Sequence, residues 1–176
     1  MKQQYKLIHR GQVLPDTKQE VPAPTIVVCA GGFIIKKGRF LFGKRSKKKD
    51  WAPGLWDIVG GKSLKNEHPV FTLQRETMEE AGVQVLNASL LAVADVVSGD
   101  QADAIFRYHI YMITHFKGEA VNKTNEHTKL QWFSRQGLQE LPLAIPEYLH
   151  LLDEWLAKNN QSSATGTLQQ EITSLL

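Results

Sequence analysis

Strand-patterned and helix-patterned segments alternate along this chain, and that alternation predicts an α/β fold: an α/β/α sandwich around a central mixed β-sheet. Three observations carry the prediction. TIVVCAGGFII, from Thr25, is a run of β-branched, aromatic and small residues suited to a strand. Residues 104–116 alternate, with Phe106, Tyr108, Ile110, Met112 and Phe116 on one face and Arg107, His109, Tyr111 and His115 on the other. Residues 69–81 and 145–159 place apolar side chains at helical spacing. The 176 residues suffice for one domain with its own core.

In chain order, residues 1–24 form a polar lead-in ending in VPAP, with a short strand expected at Tyr5 to Ile8. The domain proper spans 25–159. Its first strand, 25–38, contains Gly31 and Gly32, which suggest a bulge or a close backbone approach. Lys37-Gly38 turns the chain into a second strand, RFLFGKRS (39–46). A basic loop, SKKKDWAPG, leads to LWDIVGG (55–61), read as one short strand. A helix begins near Pro69, favoured at a first helical position, and stops before Gly82, favoured just past the end. Strands follow at 85–97 and 104–116. The apolar face of the second is core, and its polar face either lines a cleft or meets water. KLQWFS (129–134) is a last strand, and Ser134 caps a short helix reaching Leu141. The helix 145–159 carries Tyr148, Leu152, Trp155 and Leu156 on one side to cover the sheet. Residues 160–176 begin with QSSATGT and read as a flexible tail, with docking and disorder both open.

Composition narrows the function classes. The formal net charge of +3, with 22% charged and 42% hydrophobic residues, does not demand nucleic acid or a membrane as partner. No apolar stretch approaches the ~18 residues of a membrane span. The N-terminus lacks the apolar core of a signal peptide. The single cysteine, Cys29, allows no intramolecular disulfide and reads as a small buried hydrophobe. The expectation is a cytoplasmic protein with a small-molecule partner; a homodimer stays open.

The chemistry concentrates at Gly61 to Val83, GKSLKNEHPVFTLQRETMEEAGV. Glu76, Glu79 and Glu80 share one helix face, where like charges destabilise by a few tenths of a kcal/mol per pair. A divalent metal bound to phosphates would offset that. Hard oxygen ligands suit Mg²⁺ or Mn²⁺ rather than zinc. Val70, Leu73, Thr77 and Ala81 form the adjacent stripe, whose burial would aim the glutamates at a cleft. Arg75, four residues before Glu79, can pair with it and orient the cluster.

Gly61, Glu67, Arg75-Glu76, Glu79-Glu80 and Gly82 stand at the spacing of the Nudix box, and the segment resembles that family. These seven positions would match by chance with a probability on the order of 10⁻⁹ to 10⁻⁸ per start, so the signal is specific. Thr77 replaces the family's usual larger aliphatic, and Val59 stands where proline is frequent. The resemblance covers roughly residues 25–158. It implies the Nudix sandwich and hydrolysis of a nucleoside diphosphate linked to another group. It also implies that Glu76, Glu79, Glu80 and the carbonyl of Gly61 hold Mg²⁺ or Mn²⁺, with Glu76 alternatively the general base. Arg75 would orient the glutamates, and Glu67 would contribute from the periphery. Glu126, six residues before Trp132, matches a loop acid of the family that binds metal or takes part in catalysis, against an ordinary loop charge. Arg45 matches a phosphate-binding arginine, against a solvated charge. Trp51 could stack on a base or sit on the rim, and Tyr111 is a further candidate substrate contact.

Tags of several subfamilies are absent. Ser98 and Gly99 stand where an ADP-ribose type would have proline, and SQPWPFPxS is missing. That weakly favours nucleoside triphosphates, oxidised ones included. KRSKKKDWAPGLWDIVGG also resembles a segment of isopentenyl diphosphate isomerases, but those need a catalytic cysteine and Cys29 is outside the expected site. A nucleotide-sensing regulator on the same fold is the other alternative, although regulators usually degrade the carboxylates kept here.

Overall fold

Val27, Cys29 and Phe33 of strand β2 (Thr25–Lys36) pack into one apolar cluster, and Ala30 and Ile34 pack into another. A strand apolar on both faces belongs at the centre of a covered sheet. In the computed structural model, which describes residues 6–8, 24–97 and 104–160, β2 holds that place. It runs parallel to β7 (Ala104–Lys117), from Thr25 opposite Ala104 to Ile34 opposite Ile113. β7 pairs antiparallel with β6 (Gln84–Val97), and β6 with the short β1 (Lys6–Ile8). On the other edge, Lys37 and Gly38 at φ 50° and 70° make the tight turn into β3 (Arg39–Arg45). β3 pairs with β4 (Trp56–Asp57) and with β8 (His127–Ser134). β5 (Val59–Lys62) pairs with β2. The sheet is mixed, as expected.

The segment 55–61 departs from expectation. It is two strands, because Ile58 N–H turns aside to the Asp57 carboxylate at 2.9 Å and the chain crosses from β3 to β2. The crossing is tight: a Cβ on Gly60 would collide with the carbonyl of Ala30. Gly31 and Gly32 are close approaches too; a Cβ at Gly32 would lie 2.8 Å from Ile113 Cδ1.

Helix α1 (Pro69–Ala81) has the expected bounds. His68 Nδ1 accepts the N–H of Val70, Pro69 opens the helix, and Gly82 closes it at φ 68°. Leu73, Thr77 and Ala81 are buried on the sheet. Thr77 tolerates burial because its hydroxyl donates to the Leu73 carbonyl at 2.8 Å, which accounts for a hydroxyl where an aliphatic is usual. Ser134 caps α2 (Arg135–Leu138), accepting from Gly137 N–H at 3.1 Å, although α2 stops short of Leu141. Helix α3 covers 148–160, starting later than expected. Tyr148 and Leu152 are buried in the Cys29–Phe33 cluster, with Trp155 and Leu156 packed against it. Thus α1 lies on one face and α3 on the other, the layering of an α/β/α sandwich.

The alternation along β7 holds through Ile113, but both faces are core: Tyr108, Ile110 and Met112 on the α3 side, Tyr111 and Ile113 on the α1 side. Phe116, expected with Phe106, packs instead with Trp132 on the α1 side, ring centroids 6.3 Å apart. The pairing passes from His115 opposite Asn87 to Ile113 opposite Ala88, so Thr114 is an extra residue and the alternation inverts beyond it. The rest of the lead-in, Ser98 and Gly99, and the tail beyond 160 lie outside the described residues.

Candidate active site

Burial of Leu73 and Ala81 sets the rotation of α1, and Arg75 ties the helix to the preceding loop. Its Nε and Nη2 reach the two oxygens of Glu67, each at 3.0 Å, a bidentate fork. Nη1 reaches Glu76 at 2.7 Å and Glu79 at 3.2 Å, and Nη2 also donates to the carbonyl of Lys62 at 3.0 Å. Glu67 further accepts from Leu64 N–H and from the Thr72 hydroxyl, both at 2.9 Å. The Arg75 hydrogen bond is the main reason its carboxyl is held down at about 2. Glu67 is therefore a brace between loop and helix.

The glutamates divide by environment. Glu79 is exposed and held by Arg75. Glu76 is mostly buried, and burial pushes its pKa up while Arg75 pulls it back. Its carboxylate lies against Gly61: a Cβ there would sit 2.6 Å from Glu76 Oε1. Only glycine lets the two meet. Glu80 differs from expectation. It is buried where a cleft-facing position was expected, because it points into the sheet and accepts from Gly60 N–H at 3.3 Å. Burial, then the charges of Glu126 and Glu76, push its carboxyl up to about 8. Glu126 is half-exposed and bound by Lys49 at 2.8 Å. Burial opposes its charge, yet Lys49 and the hydrogen bond shared with Glu80 outweigh that and lower its pKa.

Among the described residues, no three acidic, imidazole or thiol groups already converge as a finished metal cage. Arg75 and Lys49 stand as counter-charges to Glu76, Glu79 and Glu126. The donor set nonetheless fits a hard divalent cation. Glu76 and Glu126 are near enough to Glu80 to oppose its ionisation, and Glu76 lies on the backbone of Gly61.

Arg45, Trp51 and Tyr111 fare differently. Arg45 donates through Nε to the Trp51 carbonyl at 2.9 Å and through Nη1 to Asp57 at 3.3 Å, with its guanidinium 4.9 Å from the Trp51 ring centroid. The fork expected for phosphate is thus largely engaged within the protein. Trp51 is half-buried, packed on the α3-side cluster. Tyr111 does not line an open cleft; it is buried on the α1 side, opposite Gly32, because β7 is covered on both faces. Cys29 pairs in register with Lys62, one residue from Gly61, so it lies nearer the site than expected. Burial pushes its thiol up to about 11, which makes it a poor nucleophile.

Two residues were given no role by the sequence. Asp57 is fully buried and accepts from Arg45, from Ile58 N–H and from the Tyr148 hydroxyl. His127 is buried with both ring nitrogens unpartnered, Nδ1 3.9 Å from Glu80 Oε2. Burial pulls its pKa down to about 4, so it is neutral at pH 7. An acid inside an apolar strand and a glycine inside FLFGKR were the available signals.

The model of the NUDIX domain matches residues 25–154, which include every element that builds this site. The chain belongs to the Nudix family. It is 28% identical over 135 residues to the CTP pyrophosphohydrolase of Escherichia coli strain K12, covering 75% of this chain and 93% of that protein. It is 33% identical over 94 residues to an 8-oxo-dGTP diphosphatase of Proteus vulgaris, covering 53% and 81%. The crystal structure of a MutT NUDIX hydrolase from Burkholderia pseudomallei superposes with a TM-score of 0.64 at 29% identity, covering 72% of this chain and 96% of that one. This Nudix chain is accordingly a hydrolase of phosphoanhydrides that acts on nucleoside diphosphate derivatives. Nudix hydrolases generally use divalent metal ions. No helix among the described residues is long and apolar enough to cross a membrane.

Proposed function

We propose that this Nudix hydrolase is a Mg²⁺- or Mn²⁺-dependent pyrophosphohydrolase of nucleoside triphosphates, oxidised ones included, releasing a nucleoside monophosphate and pyrophosphate. One observation supports the reading: Glu76 lies against the backbone of Gly61, and the charges of Glu76 and Glu126 both reach Glu80. Glu76, Glu79, Glu80, Glu126 and the Gly61 carbonyl would hold the metal. When bound, a divalent ion supplies charge neutralisation at the phosphate oxygens and Lewis acidity. In the alternative role, Glu76 is not a ligand but the base that takes the proton of the attacking water. Arg75 fixes Glu76 and Glu79 for these tasks. As water attacks phosphorus, the bridging P–O bond breaks and pyrophosphate leaves. Arg45 and Trp51 shape the nucleotide side of the site, and Lys49 gives up Glu126 for substrate phosphate.

The triphosphate preference is supported by the relatives, which are named for CTP and 8-oxo-dGTP. A cytoplasmic location, where nucleotides are abundant, belongs to the same reading. The test is a panel of nucleoside triphosphates, nucleotide sugars, dinucleotides and coenzyme A, each with Mg²⁺ or Mn²⁺, followed by release of monophosphate and pyrophosphate. Triphosphates should be turned over fastest. Tight nucleotide binding without turnover of any compound would replace the enzyme by a sensor, and preference for a nucleotide sugar or dinucleotide would overturn the substrate class.

A further inference from the structure

We propose that His127 is a positioning residue for the metal site: its Nδ1–H holds the Glu80 carboxylate in the orientation that faces the ion. The inference rests on Glu80 being a metal ligand. β8 pairs Lys129 with Lys44 and then His127 with Arg45, leaving Thr128 as an extra residue. Leu130 and Trp132 pack on the α1 side, and plain alternation would turn His127 to the opposite face. The bulge reverses this and aims the ring at α1. Bulges serve this re-aiming beside active sites.

Room for the ring comes from Gly43, which pairs with Leu130. A Cβ on Gly43 would collide with the imidazole and would lie 2.6 Å from its Nε2. The ring is therefore seated on bare backbone, with its Cδ2 side against Gly43 and Nδ1 3.9 Å from Glu80 Oε2. Both side chains are almost fully buried, and neither ring nitrogen has a partner. A neutral imidazole has one donor and one acceptor. With Glu80 ionised, as a metal ligand must be, a proton on Nε2 would leave the Nδ1 lone pair facing carboxylate oxygen. With the proton on Nδ1, the donor faces Glu80, and a shift of about 1 Å completes the hydrogen bond. Glu80 Oε2 would then accept from both Gly60 N–H and His127 Nδ1–H.

The test measures Mn²⁺ affinity by electron paramagnetic resonance on the full chain, without substrate. His127→Leu should weaken Mn²⁺ about 10- to 100-fold, the usual effect of removing a partner of a metal ligand. His127→Asn, whose amide replaces Nδ1–H, should recover most of the loss. Gly43→Ala, which displaces the ring, should resemble His127→Leu. Glu80→Gln should weaken Mn²⁺ at least as much. Wild-type affinity in His127→Leu beside a weakened Glu80→Gln would overturn the role of His127 and leave the metal reading standing. Wild-type affinity in Glu80→Gln would overturn both. Should the variants fail to fold, the wild type decides by nuclear magnetic resonance. Saturating Mg²⁺ should bring out a slowly exchanging proton on His127 Nδ1, and unchanged His127 ring signals would overturn the proposal.

Discussion

The phenolic oxygen of Tyr148 lies 2.9 Å from Asp57 Oδ1, and both residues are fully buried. This bond joins α3 to the strand that leads into the acidic site, across 91 residues of sequence. The Asp57 carboxylate also receives Ile58 N–H and Arg45, and Arg45 packs on Trp51. Helix position, strand break and basic loop therefore meet on one side chain. Tyr148→Phe keeps the ring's packing and withdraws one donor from a buried acceptor. It should destabilise by about 1–3 kcal/mol, read from urea unfolding. Asp57→Ala, which strands the Arg45 charge as well, should lose more. Equal stability in wild type and Tyr148→Phe would mean that the hydroxyl has no weight in the fold.

Gly61→Ala tests the contact between backbone and carboxylate. The new Cβ would lie 2.6 Å from Glu76 Oε1, so the carboxylate must move while the core of α1 stays packed. A displacement near 1 Å at a reacting site typically costs about 10²-fold. The expected result is kcat down by about that factor, with the melting temperature little changed.

Glu76→Gln and Glu80→Gln each keep shape and remove charge. Loss of turnover by ~10² or more is expected, because charge stabilisation at phosphorus is typically that costly to remove. Unchanged turnover in both variants would end the proposed mechanism.

The bounds of α1 were legible because Pro69 and Gly82 act locally, through a fixed φ and a left-handed cap. The acidic spacing was legible because one helix carries it. Two bulges were not: Thr114 and Thr128 are ordinary strand residues, and only the pairing of distant strands makes them extra. Those bulges decide where Phe116 and His127 point. The role of Asp57 was hidden likewise, since one of its donors comes from Tyr148. Glu80 read as facing a cleft, and its burial depends on Gly60 of β5 and His127 of β8 packing beside it.

The Arg75–Glu67 brace gives stability a pH dependence with a definite sign. Glu67 is held at about 2 against an ordinary 4.5, so its folded-state pKa is depressed. In acid the unfolded chain takes up this proton first, and stability falls as pH drops. The contribution is fully present above about 4.5 and is lost between 4.5 and 2. Glu67→Gln removes the titration and weakens the fork to Arg75. Wild type should therefore exceed Glu67→Gln in stability at pH 7, and the gap should narrow on acidification from pH 5 to pH 3. Urea unfolding of both proteins at stepped pH measures it. A gap that stays constant, or that widens in acid, would show that Arg75 does not hold Glu67 ionised.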